Sequence, residues 1–149
     1  MTDESNQNEF YLAIGRFVAE FSRLEALLKW MIEDGIKLDD KYSGVVVTHD
    51  FAMLCTIAEN VLSRDMDEAK TAQFVAVIRK CRELNDHRVR VVHGLWTIGR
   101  RKGSLVHRSR QKLESRSYWQ NAGELAAQAD ATAKLWFDLA DFWNPPKSK

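Results

Sequence analysis

Proline and glycine are scarce, with two and seven among 149 residues, which excludes collagen-like repeats and proline-rich linkers and disfavours a loop-heavy β-sandwich. Cysteine is nearly absent. Cys55 and Cys81 form neither a CxxC pair nor a disulfide framework, and both fall inside apolar helical patterns, so buried thiols in a reducing compartment are expected. No apolar run approaches the ~20 residues needed to cross a bilayer. Residues Met1–Asn6 are acidic and polar, unlike a secretory or transit signal, so a cytoplasmic protein is expected. Internal repeats and low-complexity segments are missing as well. The four histidines, His49, His87, His93 and His107, share no metal-ligand spacing, and there is neither a glycine-rich phosphate loop nor a serine elbow. The expectation is therefore no metal and no cofactor.

What is present suits one folded domain over 1–149, with 1–7 and 144–149 expected as flexible tails. Hydrophobic residues make up 45% and charged residues 29%, as in ordinary globular chains. The net charge of +1 points to no polyanionic partner when averaged over the chain. Its distribution is uneven. Residues 79–116 hold twelve Lys and Arg against three Asp and Glu, a local +9, which leaves −8 on the rest.

Apolar periodicity predicts an all-α fold, a four- to five-helix up-and-down bundle with a small hairpin or loop insertion near 96–108. The first helix runs from about Asn8 to about Asp34, with Phe10, Ile14, Phe17, Phe21, Leu24, Leu28 and Met31 at steps of three and four and Gly35 as its C-terminal stop. A connector over 36–50 contains Val45–Val47, too short to support a sheet. Thr48 or Asp50 caps a second helix bearing Phe51, Leu54, Ile57, Val61 and Leu62. A third begins near Asp67 and carries Phe74, Val77, Ile78, Cys81, Leu84, Val91, Val92 and Leu95 before Gly94 weakens it. After the loosely alternating stretch Trp96–Arg108, a capping box at Asn121 and Glu124 opens a last helix, with Leu125, Ala129, Thr132, Leu135, Leu139 and Phe142 on one stripe. Pro145 and Pro146 end it. Trp119, Trp136 and Trp143 read as packing residues; Trp96, which leads into the basic segment, is also a candidate for ligand contact.

One residue breaks this pattern. On the third helix Arg88 falls within the apolar stripe of Cys81, Leu84 and Val92, with Asn85 on the same face. A guanidinium there is costly unless it is paired, for instance with Glu25, or faces a wet cleft. His93 lies five residues on, about 140° away on a straight helix, so the two side chains converge only if the helix bends or two protomers share a cleft. An imidazole can move a proton near neutral pH and a guanidinium can grip a phosphate, which together suffice for metal-free RNA cleavage through the ribose 2′-OH.

The segment Arg88-Val-Arg-Val-Val-His93-Gly94 resembles the Arg, four to six residues, His signature of HEPN domains. Asn85, Gly94-Leu95-Trp96 and a long first helix with Ile14-Gly15-Arg16-Phe17 and Leu24-Glu25 add to the likeness, which covers roughly residues 8–143. The resemblance implies a homodimer with paired motifs facing one cleft, and a metal-independent endoribonuclease of a toxin–antitoxin or defence type. Arg88 and His93 would then be the catalytic pair, with Asn85, Asp86 and Arg90 supporting and Arg100, Arg101, Lys102 and Arg108 attracting RNA. An antitoxin or another partner protein is a further implied contact. Where the family usually places a polar residue after the motif Arg, this chain has Val89. That departure keeps open the alternative of a catalytically inactive dimeric module that binds nucleic acid or a partner protein.

Overall fold

A computed structural model describes residues 3–98, 103–108 and 115–144. Among the described residues there are five α-helices, two short 3-10 helices and one small sheet, the all-α class with an insertion that the periodicity predicts. The helices are α1 (Asp3–Gly35), α2 (Gly44–Val47), α3 (Phe51–Val61), α4 (Glu68–His93) and α5 (Ala122–Trp143). Three antiparallel strands, β1 (Leu95–Ile98), β2 (Gly103–Arg108) and β3 (Ser115–Tyr118), lie between α4 and α5 in the order β1-β2-β3. Among the described residues no single helix is long and apolar enough to cross a membrane.

The helix boundaries follow from local chemistry. Helix α1 begins at Asp3, so residues 3–7 are helical where a flexible tail was expected. Glu4, in the first turn, offsets the positive end of the helix dipole, and that favours the extra turn. Asp50, rather than Thr48, caps α3 by accepting from the Met53 N–H at 2.9 Å. Asp67 does the same for α4, accepting from the Lys70 N–H at 2.8 Å. At α5 the capping box forms: the Glu124 N–H donates to Asn121 Oδ1, and Glu124 accepts in return from the Gln120 N–H, both at 2.9 Å. Val45–Val47 form the single turn of α2, with Val46 buried.

Contacts within the chain cluster into two compact units, each built from separate stretches of sequence. The first comprises residues 1–21 and 86–132. Its core gathers Phe10, Ala13, Phe17 and Phe21 of α1, Val91 of α4, Leu105 of β2, Trp119, and Leu125, Ala129 and Thr132 of α5. Ala13 takes the buried place that the periodicity gave to Ile14, which is half-buried. Thr132 satisfies its hydroxyl by donating to the Gln128 carbonyl at 2.7 Å. The second unit comprises 22–85 and 133–149, with Leu24, Leu28, Met31, Leu54, Cys55, Phe74, Ile78, Cys81, Leu135 and Leu139 in its core.

Two expected features differ. Gly35 is the last helical residue of α1, not its left-handed stop; Lys37 takes that conformation, at φ 53°. The Lys37 N–H donates to the Asp34 carbonyl and the Leu38 N–H to the Glu33 carbonyl, the two bonds of a Schellman ending. Gly35 is needed instead for space, because a Cβ there would stand 2.3 Å from Leu62 Cδ2. Leu95 and Val92, read as core residues of the third helix, are 71% and 46% exposed. The helix stops at His93, so Leu95 belongs to β1, where alternation turns it outward.

Within the second unit the Trp143 indole donates to Asp34 Oδ2 at 2.8 Å. That bond, with Lys37 nearby, holds the Asp34 carboxyl below its ordinary value. Its contribution to folding is therefore present above the usual carboxylate range and is lost as the pH falls through it. The strained Lys37 supplies a direct check. Lys37→Gly relieves a left-handed Cβ penalty and is expected to stabilise the fold by about 0.5–1 kcal/mol, a rise in Tm of about 2–3 °C by calorimetry. An unchanged or lower Tm would contradict the Schellman assignment.

Candidate nucleic-acid site at the end of the fourth helix

Arg88, Arg90 and His93 lie in the last turns of α4, all in the first unit. The helix is continuous through them, and the Gly94 N–H still donates to the Arg90 carbonyl at 2.8 Å. No bend brings Arg88 toward His93 within one chain, so the two point about 140° apart. Arg88 is half-buried and His93 exposed.

What ends α4 so abruptly is Gly94. A Cβ at this position would stand 2.3 Å from Leu105 Cδ1 and 2.6 Å from the Arg90 carbonyl oxygen, so no other residue fits without moving the backbone. The chain then turns into β1, and Trp96 reaches back to donate its indole N–H to the Val91 carbonyl at 3.0 Å. That bond satisfies one of the carbonyls left open at a helix end. Trp96 is thus a structural tie rather than a free ligand contact. Its ring stacks on Trp119, with centroids 6.1 Å apart and planes 13° from parallel, and Phe10 lies 6.2 Å away.

Trp119 carries the strain of this arrangement. It has φ 44°, rare for a bulky side chain, and sits buried against Trp96, His87 and Tyr118. The register aligns Trp96, Leu105 and Tyr118 across the three strands, so one face of the sheet supplies this aromatic floor. The opposite face carries the outward row Leu95, Val106 and Ser117.

The arginines rest on rings. Arg88 places its guanidinium carbon 5.8 Å from the centroid of Phe21, and Arg90 places its own 4.5 Å from that of Tyr118. Among the described residues, neither has a carboxylate within ion-pair distance, nor does His93. Elsewhere the chain pairs such cations, as Arg16 does with Asp130 and Arg82 with Glu59. Glu25, a possible partner for Arg88 from the sequence, is held by Lys29 at 2.6 Å.

Of the other expected groups, Asn85 is half-buried and Asp86 exposed, one turn before Arg88 and Arg90. Arg100, Arg101 and Lys102 lie outside the described residues; for Arg108 the description extends to its place at the end of β2. The hairpin of β1 and β2 forms as one of the expected alternatives. Strand β3, with Arg116 and Tyr118, escaped the sequence reading because Ser115–Tyr118 has no apolar alternation. Among the described residues no group of three or more His, Cys, Asp or Glu is placed to hold a metal ion.

Both cysteines are fully buried in the second unit. Desolvation pushes the Cys55 thiol up to about 11 and the Cys81 thiol further, so neither is a thiolate at neutral pH. Iodoacetamide at pH 8 is expected to leave both unmodified in the folded protein and to label both in urea, read by intact mass. Rapid labelling of the native chain would contradict their burial. Since both thiols hold their protons past the unfolded value of about 8.5, folding weakens as the pH rises above it.

Comparison of the chain with protein-family models, with curated proteins and with solved structures gives no match.

Proposed function

We propose that this chain is a HEPN-like, metal-independent RNA endonuclease of a toxin–antitoxin or defence type that acts as a homodimer. The observation that carries the reading is the half-buried Arg88, stacked on Phe21 with no carboxylate partner among the described residues, one turn before an exposed His93. A half-buried guanidinium with no carboxylate partner among the described residues favours an anion supplied from outside, and RNA phosphate fits its planar fork. Because Arg88 and His93 diverge on a straight helix, one copy alone does not grip a phosphate with both. Two copies facing a shared cleft do. The exposed Val92 and Leu95 beside His93 supply apolar surface for such a contact.

In this mechanism neutral His93 of one copy takes the proton of a ribose 2′-OH. The freed oxygen attacks the adjacent phosphorus, and Arg88 stabilises the charge that builds on the phosphate oxygens. The bond to the 5′-oxygen breaks, and that oxygen receives a proton from the protonated His93 of the second copy. The products are a 2′,3′-cyclic phosphate and a 5′-hydroxyl.

A second reading has its own support. Val89 follows Arg88 and is half-buried, where the resembling family usually has a polar group, and this favours a catalytically silent module that binds RNA or a partner protein with the same cations.

Mutation separates the two. Purified protein is expected to cleave RNA in excess EDTA, and His93→Ala to lower the rate by at least about a hundredfold while the melting curve and the dimer mass stay unchanged. Cleavage that survives His93→Ala would contradict the catalytic assignment. RNA binding without cleavage would leave the silent module.

A further inference from the structure

Resting on that reading of the site, we propose that Arg90 and Tyr118 form a base-stacking subsite that takes one unpaired base of the bound RNA. Nothing in the catalytic scheme uses this pair. Arg90 lies two residues after Arg88 on α4, and its guanidinium carbon sits 4.5 Å from the centroid of the Tyr118 ring on β3. Both residues are half-buried, so the pair is neither a sealed core contact nor a loose surface one. Arg90, like Arg88, has no carboxylate within ion-pair distance among the described residues.

The geometry points to a nucleotide for three reasons. A guanidinium stacked on a ring with one face keeps the other for a second planar group, and its edge N–H groups remain free for phosphate. A nucleotide offers both a π-face and a phosphate, whereas an acidic peptide offers only the charge. The Tyr118 ring also has neighbours of its own: the Trp119 ring centroid lies 6.0 Å away, and Leu105 and Trp96 share its face of the sheet. Duplex RNA keeps its bases stacked on each other and offers none to such a platform.

The test uses the full-length His93→Ala protein, so that binding is read without cleavage, and a fluorescein-labelled 12-mer of oligouridylate in EDTA. The His93→Ala protein is expected to bind this oligomer more tightly than a 12-base-pair RNA duplex. Adding Tyr118→Leu is expected to weaken single-strand binding about tenfold, while Tyr118→Phe, which keeps the ring, restores it. Arg90→Lys keeps the charge but not the plane and is expected to weaken it as well. Polyphosphate of the same charge, which cannot stack, is expected to compete equally against the parent and Tyr118→Leu proteins. Retained affinity in a folded Tyr118→Leu protein, equal affinity for the duplex, or equal loss with Tyr118→Phe overturns the stacking subsite. If the wild type cleaves RNA but Tyr118→Leu binds normally, only this inference fails. Ring-dependent binding without cleavage by the wild type overturns the nuclease reading and leaves the subsite standing.

Discussion

The contact between Gly94 and Leu105 is the constraint on which the candidate site depends. Because no Cβ fits at 94, α4 can stop at His93 and the chain can turn directly into β1 with Leu105 packed against the turn. The Trp96 indole then closes the helix end by bonding the Val91 carbonyl, and the same ring stacks on Trp119. The result is a closed helix terminus whose last two turns carry Arg88, Arg90 and His93. The negative end of the helix dipole lies there too, which steadies cations placed on it.

That terminus concentrates cost as well as order. Trp119 holds a left-handed backbone, a strain of about 1–3 kcal/mol that the surrounding rings must offset. Arg88 and Arg90 are half-buried against rings without a carboxylate among the described residues. Elsewhere, the left-handed Lys37 apart, the described residues follow ordinary rules, with capped helices, paired arginines and a buried threonine bonded to its own helix. A strained tryptophan and two arginines set on rings within one helix terminus are the kind of local exception expected of a functional site.

Much of this frame was legible in the sequence. The stripes of α1 and α5, the Asn121 cap and the two buried thiols follow directly from spacing and residue type, because burial on one helix face leaves a 3.6-residue period. What escaped depended on contacts distant in sequence. Gly35 looks like a helix stop, yet its role is set by Leu62, and Lys37 takes the left-handed turn against its own preference. Leu95 looks like a continuation of the third helix, but the Gly94–Leu105 contact ends that helix first. Strand β3 has no alternation of its own and exists through pairing with β2. The odd position of Arg88 was visible from the start. Its resting place on Phe21, and that of Arg90 on Tyr118, required the three-dimensional arrangement.

Even the charge balance reads differently with the fold in hand. The +9 segment begins in the middle of α4 and ends in β3, and among the described residues it places Arg88 and Arg90 on the last turns of that helix and Arg116 on the sheet. The most direct measurement of the central claim is the chemistry of the ends made when the protein acts on single-stranded RNA in EDTA, read by mass spectrometry. The Arg88–His93 mechanism predicts 2′,3′-cyclic phosphate and 5′-hydroxyl termini, and no cutting of an RNA whose 2′-oxygens are methylated. Products with 3′-hydroxyl ends, or equal cleavage of the methylated strand, would contradict it.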